Sequence, residues 1–330
     1  MNRTCLVFVI LFVAKSSSVL ELPFKNAEDG VHQAIVDVQI GTPAQSFKLS
    51  LGFLSYCPGL IVYSTKTHKD GFDATASSSF KRTGDYKEGL KVVGSTGTDN
   101  LQITDSSGKP QNLVQKPLTV IDDGFCVNLT TLSLARSTSD NPNSFVDSVL
   151  STETDKIATL KFDKLPDNNG NLFGISGLIS LGSRLPDFCS SKWNTFIDDP
   201  TEFGYNWQFK IDRIATGKFA STQVGHVHFR LDTGWITLGP DVYDQVANEL
   251  QVSNYEMPCD AGKDIVLTIN GFELHVKPED YMGGNVMDTC LFRGNRGYDN
   301  DSFELPNTIF KRYCLMFDYQ NGVAGLADKL

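Results

Sequence analysis

A succession of short apolar runs constrains the fold of this chain more than any other feature of its sequence. The runs are rich in valine, isoleucine, leucine and aromatic residues, and Gly, Asn, Asp or Ser residues separate each run from the next. Runs of this kind between turn-forming residues are typical of β-strands, so the chain is predicted to be mainly β. The predicted strands are Val31–Ile40, Ser46–Leu51, Gly59–Tyr63, Leu90–Val93, Leu101–Thr104, Leu118–Ile121, Trp207–Ile214, Val224–Leu231, Ile265–Ile269, Phe272–Val276 and Tyr313–Phe317.

Helical patterns are few. The segment Pro240–Leu250 begins with proline and spaces Val242 and Val246 as one face of a helix would require, and Leu305–Arg312 is a shorter candidate. A stretch rich in Ser, Asp, Asn and Thr, Arg136–Asn171, predicts a long surface excursion without a function of its own.

The length of 330 residues, with 40% hydrophobic residues, favours two folded units. A break in the pattern near Gly182–Asp187 places the boundary between residues 19–185 and 186–330. The formal net charge of -10 argues against a nucleic-acid partner, because binding phosphates requires an excess of lysine and arginine.

The N-terminus has the pattern of a secretory signal peptide over residues 1–18. A basic residue, Arg3, precedes an apolar run that is too short to span a bilayer, and small residues suited to cleavage follow. No later segment is long and apolar enough for a membrane helix, so we expect a secreted protein, extracellular or in the endolysosomal lumen. In that setting Asn128 and Asn300, each in an Asn-X-Ser/Thr triplet, become candidate glycosylation sites.

Six cysteines remain once the signal peptide is removed, and an even number in an exported chain favours three disulfides. Metal binding is the weaker alternative, because no two of them have Cys-X-X-Cys spacing. His226 and His228 share one face of a predicted strand, but without supporting ligands nearby they are expected to be surface histidines. We expect neither a metal nor a cofactor. The six are Cys57, Cys126, Cys189, Cys259, Cys290 and Cys314.

The segment Phe229–Pro240 presents a carboxylate at the end of a strand. Its apolar residues lead into Asp232, and Thr233 and Gly234 then turn the backbone. A three-residue motif of this kind is common by chance, so its meaning depends on whether the chain supplies a second carboxylate.

Several short motifs, in one order along almost the whole mature chain, together resemble the pepsin family of aspartic proteases. The resemblance covers residues 31–327, and the segment Asp73–Phe80 and Cys314 are most similar to secreted nematode members. It implies a bilobal fold of two β-rich lobes, each giving one Asp-Thr/Ser-Gly loop to a cleft between them. The motifs are Ile40–Pro43, Phe173–Leu178, Tyr205–Phe209, Asp232–Gly234, Thr308–Tyr313, Phe317–Asp318 and Val323–Leu326.

The chemistry that the resemblance implies needs two carboxylates. At about 3 Å apart they share one proton, so that one activates water while the other donates to the substrate carbonyl. The first lobe departs from the pattern, because Gly52, Phe53 and Leu54 stand where the other Asp-Thr-Gly should be. The nearest acids in sequence, Asp37 and Asp85, lie on the far strand of the hairpin and at the base of the flap, and neither is expected to reach Gly52.

Other family elements are also altered. Tyr86 is a weak candidate for the tyrosine of the flap that covers the cleft, and Thr233 remains for the hydrogen bonds between the two loops. The hydrophobic-hydrophobic-glycine elements that the family packs behind each loop are identified as Ile175–Gly177 and Glu304–Pro306, the second badly altered.

The resemblance further suggests the disulfides Cys259–Cys290 and Cys189–Cys314, which leaves Cys57 with Cys126. Together with the replacement of the first motif by Gly52, Phe53 and Leu54, the resemblance favours a monomeric pseudoprotease that keeps Asp232 and binds a peptide or protein in its cleft. One alternative is an active endopeptidase that recruits a substitute acid, or that dimerises to bring two copies of Asp232 together. Another is a binding protein that inhibits other hydrolases.

Overall fold

A computed structural model describes residues 19–26, 34–53, 59–88, 92–124, 130–136, 144–163, 176–199, 207–231, 233–286 and 288–330. Within these ranges the chain is mainly β, as the sequence predicts, with three short α-helices and two 3₁₀ helices. Among the same residues, no helix combines the length and the hydropathy that crossing a membrane requires.

The first half of the chain forms strands that are mostly antiparallel neighbours. They are β1 (Leu20–Asn26), β2 (Ala34–Ile40), β3 (Gln45–Gly52), β4 (Leu60–Tyr63), β5 (Lys81–Glu88), β6 (Val92–Thr104), β7 (Pro110–Asp123), β8 (Thr131–Ser133), β9 (Ile157–Phe162) and β10 (Gly177–Leu181), with helix α1 (Phe145–Leu150) between β8 and β9.

The second half has shorter strands, interrupted by the remaining helices. They are β11 (Asn194–Ile197), β12 (Gln208–Lys210), β13 (Arg213–Thr216), β14 (Phe219–Ser221), β15 (His226–Phe229), β16 (Ile236–Leu238), β17 (Glu256–Pro258), β18 (Ile265–Ile269), β19 (Phe272–Val276), β20 (Met282–Val286), β21 (Thr289–Phe292), β22 (Gly294–Arg296), β23 (Ser302–Leu305), β24 (Tyr313–Asp318) and β25 (Val323–Asp328), with helices α2 (Pro240–Glu249) and α3 (Pro278–Tyr281) and 3₁₀ helices at Cys259–Ala261 and Asn307–Lys311.

A base sheet joins the two halves. Its strands follow the order β11-β25-β24-β9-β10-β1, and every neighbouring pair is antiparallel. The junction between halves is the pairing of β9 with β24, in which Leu160 lies opposite Leu315. Both leucines are buried in one hydrophobic cluster that extends through both halves. Strands from the start, middle and end of the chain therefore build one element.

The prediction of a surface excursion over Arg136–Asn171 is wrong for the described part of that segment. Strand β9 lies inside the base sheet, and α1 buries Phe145, Val146 and Val149 against the core. The polar composition of the segment hid these elements, because the apolar residues that anchor them are few and lie between Ser, Asp and Thr residues.

The same arrangement of four strands occurs once in each half. In the first half β8 lies between β3, to which it is parallel, and β4, to which it is antiparallel, and β4 is parallel to β7. In the second half β23 lies in the same way between β15 and β16, and β16 is parallel to β22. The two halves are thus related lobes.

The repeated arrangement bears on the two hydrophobic-hydrophobic-glycine elements predicted from the sequence: it agrees with the position of one and contradicts that of the other. Strand β23 ends at Leu305 beside β15, as expected for the element Glu304–Pro306. Its counterpart in the first lobe is β8, whereas Gly177 lies in the base sheet between β1 and β9. The identification of Ile175–Gly177 as that counterpart is therefore wrong, although Ile175 itself lies outside the described residues.

Candidate functional site

Strand β3 brings the first lobe to the site and ends at Gly52. Gly52 is buried and lies opposite Ser133 of β8, and its carbonyl accepts a hydrogen bond from the backbone N–H of Leu134 at 2.7 Å. The backbone is therefore fixed as a strand end should be. With glycine at this position, the strand presents no side chain that could act as an acid or a base.

Phe53 follows Gly52 and turns this half of the site apolar. Its ring packs against Phe317 of β24 with 4.8 Å between centroids, and Phe317 in turn packs against Trp207 at 4.7 Å. A phenyl ring offers neither a donor nor an acceptor where the family pattern has a hydroxyl. The first half-site is therefore filled by aromatic packing that continues into the other lobe.

The carbonyl of Leu134 ties these aromatic residues to the Gly52 loop. It accepts hydrogen bonds from the indole Nε1 of Trp207 at 3.2 Å and from the hydroxyl of Tyr319 at 2.5 Å. Burial raises the pKa of the Tyr319 hydroxyl well above its ordinary value, so the phenol keeps its proton and donates it. The interior beneath Gly52 is thereby held in one arrangement.

The second half-site surrounds Asp232, which itself lies outside the described residues. Asn307 holds the chain on both sides of it: its amide Nδ2 donates to the carbonyl of Leu231 at 3.2 Å, and its backbone N–H donates to the carbonyl of Thr233 at 3.0 Å. The hydroxyl of Thr233 accepts from the N–H of Trp235 at 3.1 Å, and Gly234 is buried. The backbone around the Asp-Thr-Gly loop is thus well supported.

The two acids weighed as substitutes are engaged elsewhere. Asp37 pairs with Lys25 at 2.9 Å and lies opposite Lys48 of β3, four residues before Gly52. Because four strand residues span about 13 Å, this pairing places Asp37 far from Gly52 along the strand. Asp85 pairs with its neighbour Arg82 on the outside of β5. Both carboxylates therefore have ion-pair partners outside the Gly52 strand end.

Glu304 is the acid that sequence reasoning missed as a member of this site. It lies on β23, next to the strand that leads to Asp232, and its carboxylate accepts hydrogen bonds from Arg230 at 2.6 Å and from Thr237 at 2.8 Å. His228 approaches the same carboxylate with its Nε2 at 3.2 Å. The signal in the sequence was a glutamate where the family element has an apolar residue.

The environment of Glu304 keeps it ionised. Burial alone would raise the pKa of its carboxyl, but the hydrogen bond to His228 and the charge of Arg230 outweigh burial and bring the pKa to about 2. When two carboxyl groups share one proton, the pKa of one of the two is raised, because both cannot be ionised side by side. Glu304 has the opposite property and is poorly suited to act as the second member of a dyad.

A polar groove opens above this network on the second lobe. Its volume is about 880 Å³, and its half-buried or buried lining includes Arg230, His228 and Glu304. Its exposed lining includes Tyr255 and Tyr298, the latter fully exposed to solvent. Three of the lining residues, His226, His228 and Arg230, belong to the segment that leads to the Asp-Thr-Gly motif.

Tyr86 lies on the hairpin of β5 and β6, opposite Gly94 and close to the tip. Its ring is partly buried against a small cluster that includes Ile61 of β4 and Ile121 of β7. This position is compatible with a flap residue, while residues 89–91 at the tip lie outside the described part.

The two histidines considered as metal ligands have separate carboxylate partners. The Nε2 atom of His226 lies 3.2 Å from Asp199, and that of His228 lies 3.2 Å from Glu304. Among the residues that the structure describes, no three His, Cys, Asp or Glu side chains are grouped as a metal site would require.

The structure contains both disulfides that the resemblance suggested within its described part, Cys189–Cys314 and Cys259–Cys290. Cys57, Cys126 and Asn128 lie outside that part. Asn300 is described: its side-chain Oδ1 accepts from the N–H of Asp241 at 2.9 Å, and its Nδ2 donates to the Asp241 carboxylate at 2.8 Å. The side chain of Asn300, a candidate glycosylation site, therefore also holds the first turn of α2 through Asp241.

Two related β lobes and a shared base sheet give the chain a pepsin-like fold. Comparison with known proteins agrees: the model of the eukaryotic aspartyl protease family matches residues 191–329. This match lies in the second lobe, which is therefore similar in sequence to that family, and the two-lobed β fold of the chain is pepsin-like.

Curated relatives carry the same assignment. Aspartic protease 1 of Caenorhabditis elegans is 26% identical over 165 residues, which cover 46% of this chain and 41% of the relative. A probable aspartic-type endopeptidase CTSD of Arthroderma otae is 26% identical over 136 residues, or 38% of this chain and 36% of the relative. The aligned part thus spans less than half the length of either relative.

Proposed function

We propose that this chain is a secreted pepsin-like protein that does not cleave peptide bonds and instead binds a peptide or protein in its cleft. The observation that carries the proposal is Gly52, buried at the end of β3 where the first lobe should supply its catalytic carboxylate. Water activation and carbonyl protonation need two carboxylates that share a proton. Asp232 alone supplies one.

The surroundings of both half-sites support the same proposal. Phe53 replaces a hydroxyl with an aromatic contact to Phe317, and the candidate substitute Asp37 pairs with Lys25. Although burial raises the pKa of the Glu304 carboxyl, the hydrogen bond to His228 and the charge of Arg230 outweigh it and bring the pKa to about 2, so Glu304 stays ionised. Removing one member of a catalytic unit typically costs as much as removing the unit, so efficient proteolysis is not expected.

Export is part of the proposal. The apolar run that follows Arg3 has the pattern of a signal peptide, and disulfides such as Cys189–Cys314 form and persist in oxidising compartments. The extracellular space and the endolysosomal lumen are both compatible with these features.

The test is a proteolysis assay with the full chain, purified as a secreted protein. We expect background cleavage of an unfolded protein substrate at every pH from 3 to 7, the same for the wild type and for Asp232→Ala. Cleavage by the wild type near pH 4 that Asp232→Ala abolishes would overturn the proposal. If that activity also rose with the square of protein concentration, a dimer sharing two copies of Asp232 would explain it.

The binding half of the proposal is tested separately by adding pooled unfolded peptides to immobilised protein. We expect the immobilised protein to retain peptides in a saturable way. If it retains none at any pH, the proposal of peptide binding is overturned. A secreted hydrolase that co-purifies and loses its activity would instead favour the inhibitor function.

A further inference from the structure

The groove beside the Asp232 loop has an unequal balance of charge. Two guanidinium groups line it, those of Arg230 and Arg296, together with the imidazoles of His226 and His228. Five carboxylates face these four groups. Three of them line the groove, namely Asp299, Asp301 and Glu304. The other two lie at its edge, where Asp199 pairs with His226 and Asp244 pairs with Arg296.

The floor of the groove contributes little to that imbalance. Glu304 accepts hydrogen bonds from Arg230 and Thr237, and the positive charge of Arg230 offsets the negative charge of Glu304. Arg296 is likewise held by Asp244, through two hydrogen bonds of 3.1 Å. Even with both imidazoles protonated, the carboxylates outnumber the cations, and the excess negative charge lies at the mouth.

The mouth combines exposed carboxylates with exposed aromatic rings. Asp299 and Asp301 follow the fully exposed Tyr298 in the chain, and Tyr255, which also lines the groove, is half exposed. Asp299 accepts a hydrogen bond from the backbone N–H of Asp301 at 3.0 Å, which fixes the turn that carries Tyr298. Aromatic faces and carboxylates both attract cations, and cation–π contacts favour lysine and arginine.

We propose that this groove selects the ligand of the cleft: it takes up a lysine or arginine side chain of a bound peptide, between the rings of Tyr298 and Tyr255 and the carboxylates of Asp299 and Asp301. The inference rests on the proposed peptide binding and specifies which peptides bind. A groove of about 880 Å³ has room for a long side chain and part of the peptide backbone.

The experiment uses the full-length secreted chain and octapeptide pools, each with one central position fixed as Lys, Arg, Gln or Glu and all others degenerate. Fluorescence anisotropy gives an apparent Kd for each pool at pH 5 and pH 7. We expect the Lys and Arg pools to bind about tenfold more tightly than the Gln pool, and the Glu pool to bind most weakly. High salt should reduce the difference.

The variant Asp299→Asn/Asp301→Asn removes the charge while an amide oxygen remains at position 299 to accept the bond that fixes the turn. It should bring the Lys and Arg pools to within about twofold of the Gln pool. The matched control, Asp155→Asn/Asp187→Asn, removes two exposed carboxylates away from the groove and should leave the preference intact. A third variant, Tyr298→Ala, should weaken the Lys and Arg pools without affecting the Gln pool.

The outcomes separate this inference from the proposed function. If no pool binds, both fail. If all pools bind equally, or if the preference for Lys and Arg survives in Asp299→Asn/Asp301→Asn, peptide binding stands and the role of the groove is overturned.

Discussion

At the scale of single residues, the two half-sites differ in what supports them. Gly52 and Phe53 are held by the backbone of Leu134 and by aromatic rings. The loop around Asp232 is held by the amide of Asn307 and borders a charged network at Glu304. The first half is thus packed with apolar rings, while the second contains charged and polar side chains.

Glu304 gives a prediction about pH. Its folded pKa of about 2 lies below its ordinary value of 4.5, so its contribution to stability is fully present above pH 4.5 and is lost as the pH falls towards 2. We expect Glu304→Gln, which keeps an acceptor for Thr237, to lower the free energy of unfolding by about 2 kcal/mol at pH 6 and by much less at pH 2.

Urea unfolding of the wild type and of Glu304→Gln across this range measures that difference. The exposed acid Asp187 provides a control, since Asp187→Asn should change little at any pH. A constant difference between wild type and Glu304→Gln from pH 6 to pH 2 would contradict the prediction.

At the scale of elements, the strand pattern predicted much of what the structure contains. The hairpin of β2 and β3, strands β18 and β19 and helix α2 all follow from alternation or helical spacing in their own residues. The predicted strand Trp207–Ile214 is instead two strands, β12 and β13, which belong to different sheets. Such a break depends on distant partners, which local sequence does not reveal.

The missed elements share a physical cause. Strand β8, Thr131–Ser133, is only three residues long and gains its place from β3 and β4 on either side. In the same way, the charged network of Glu304 exists because β15 and β23 bring His228 and Glu304 opposite each other from distant parts of the chain. The sequence predicted a half-site at Asp232 and the absence of its partner at Gly52, but it gave no sign of the groove on the second lobe.

The base sheet provides a prediction for an element. A Cβ atom at Gly177 of β10 would meet the carbonyl oxygen of Lys161 and the ring of Phe24 closer than atoms can approach. Gly177→Ala should therefore lower the free energy of unfolding by about 2 kcal/mol or more. Gly84→Ala is the matched control on the outer strand β5, where a Cβ would meet only the Thr96 hydroxyl at 3.3 Å. Thermal unfolding compares the two, and equal melting temperatures would contradict the prediction.

At the scale of the whole molecule, the site needs both lobes, and this makes restoration of activity a sharp test. Gly52→Asp with Phe53→Thr and Leu54→Gly rebuilds the motif of the first lobe in a backbone that Leu134 already holds. We expect cleavage of unfolded protein near pH 4 to rise at least about tenfold above that of the wild type, with a bell-shaped pH dependence.

Two variants control the restoration experiment. Adding Asp232→Ala should abolish the gain, because the rebuilt carboxylate would then have no partner. Phe53→Thr alone should give no activity but should lower stability, since it removes the ring contact with Phe317. Gain of activity without Asp232 would show that another acid serves the site.

The base sheet also has a consequence for how the protein is made. Leu160 of β9 can pair with Leu315 of β24 only after the 154 residues between them have been synthesised. Until then, the first lobe carries an open strand edge, a ready site for aggregation, and closing such distant pairings is slow. The demand on chaperones should therefore be greatest just before β24 is synthesised, and a fragment of the first lobe alone would keep that edge open.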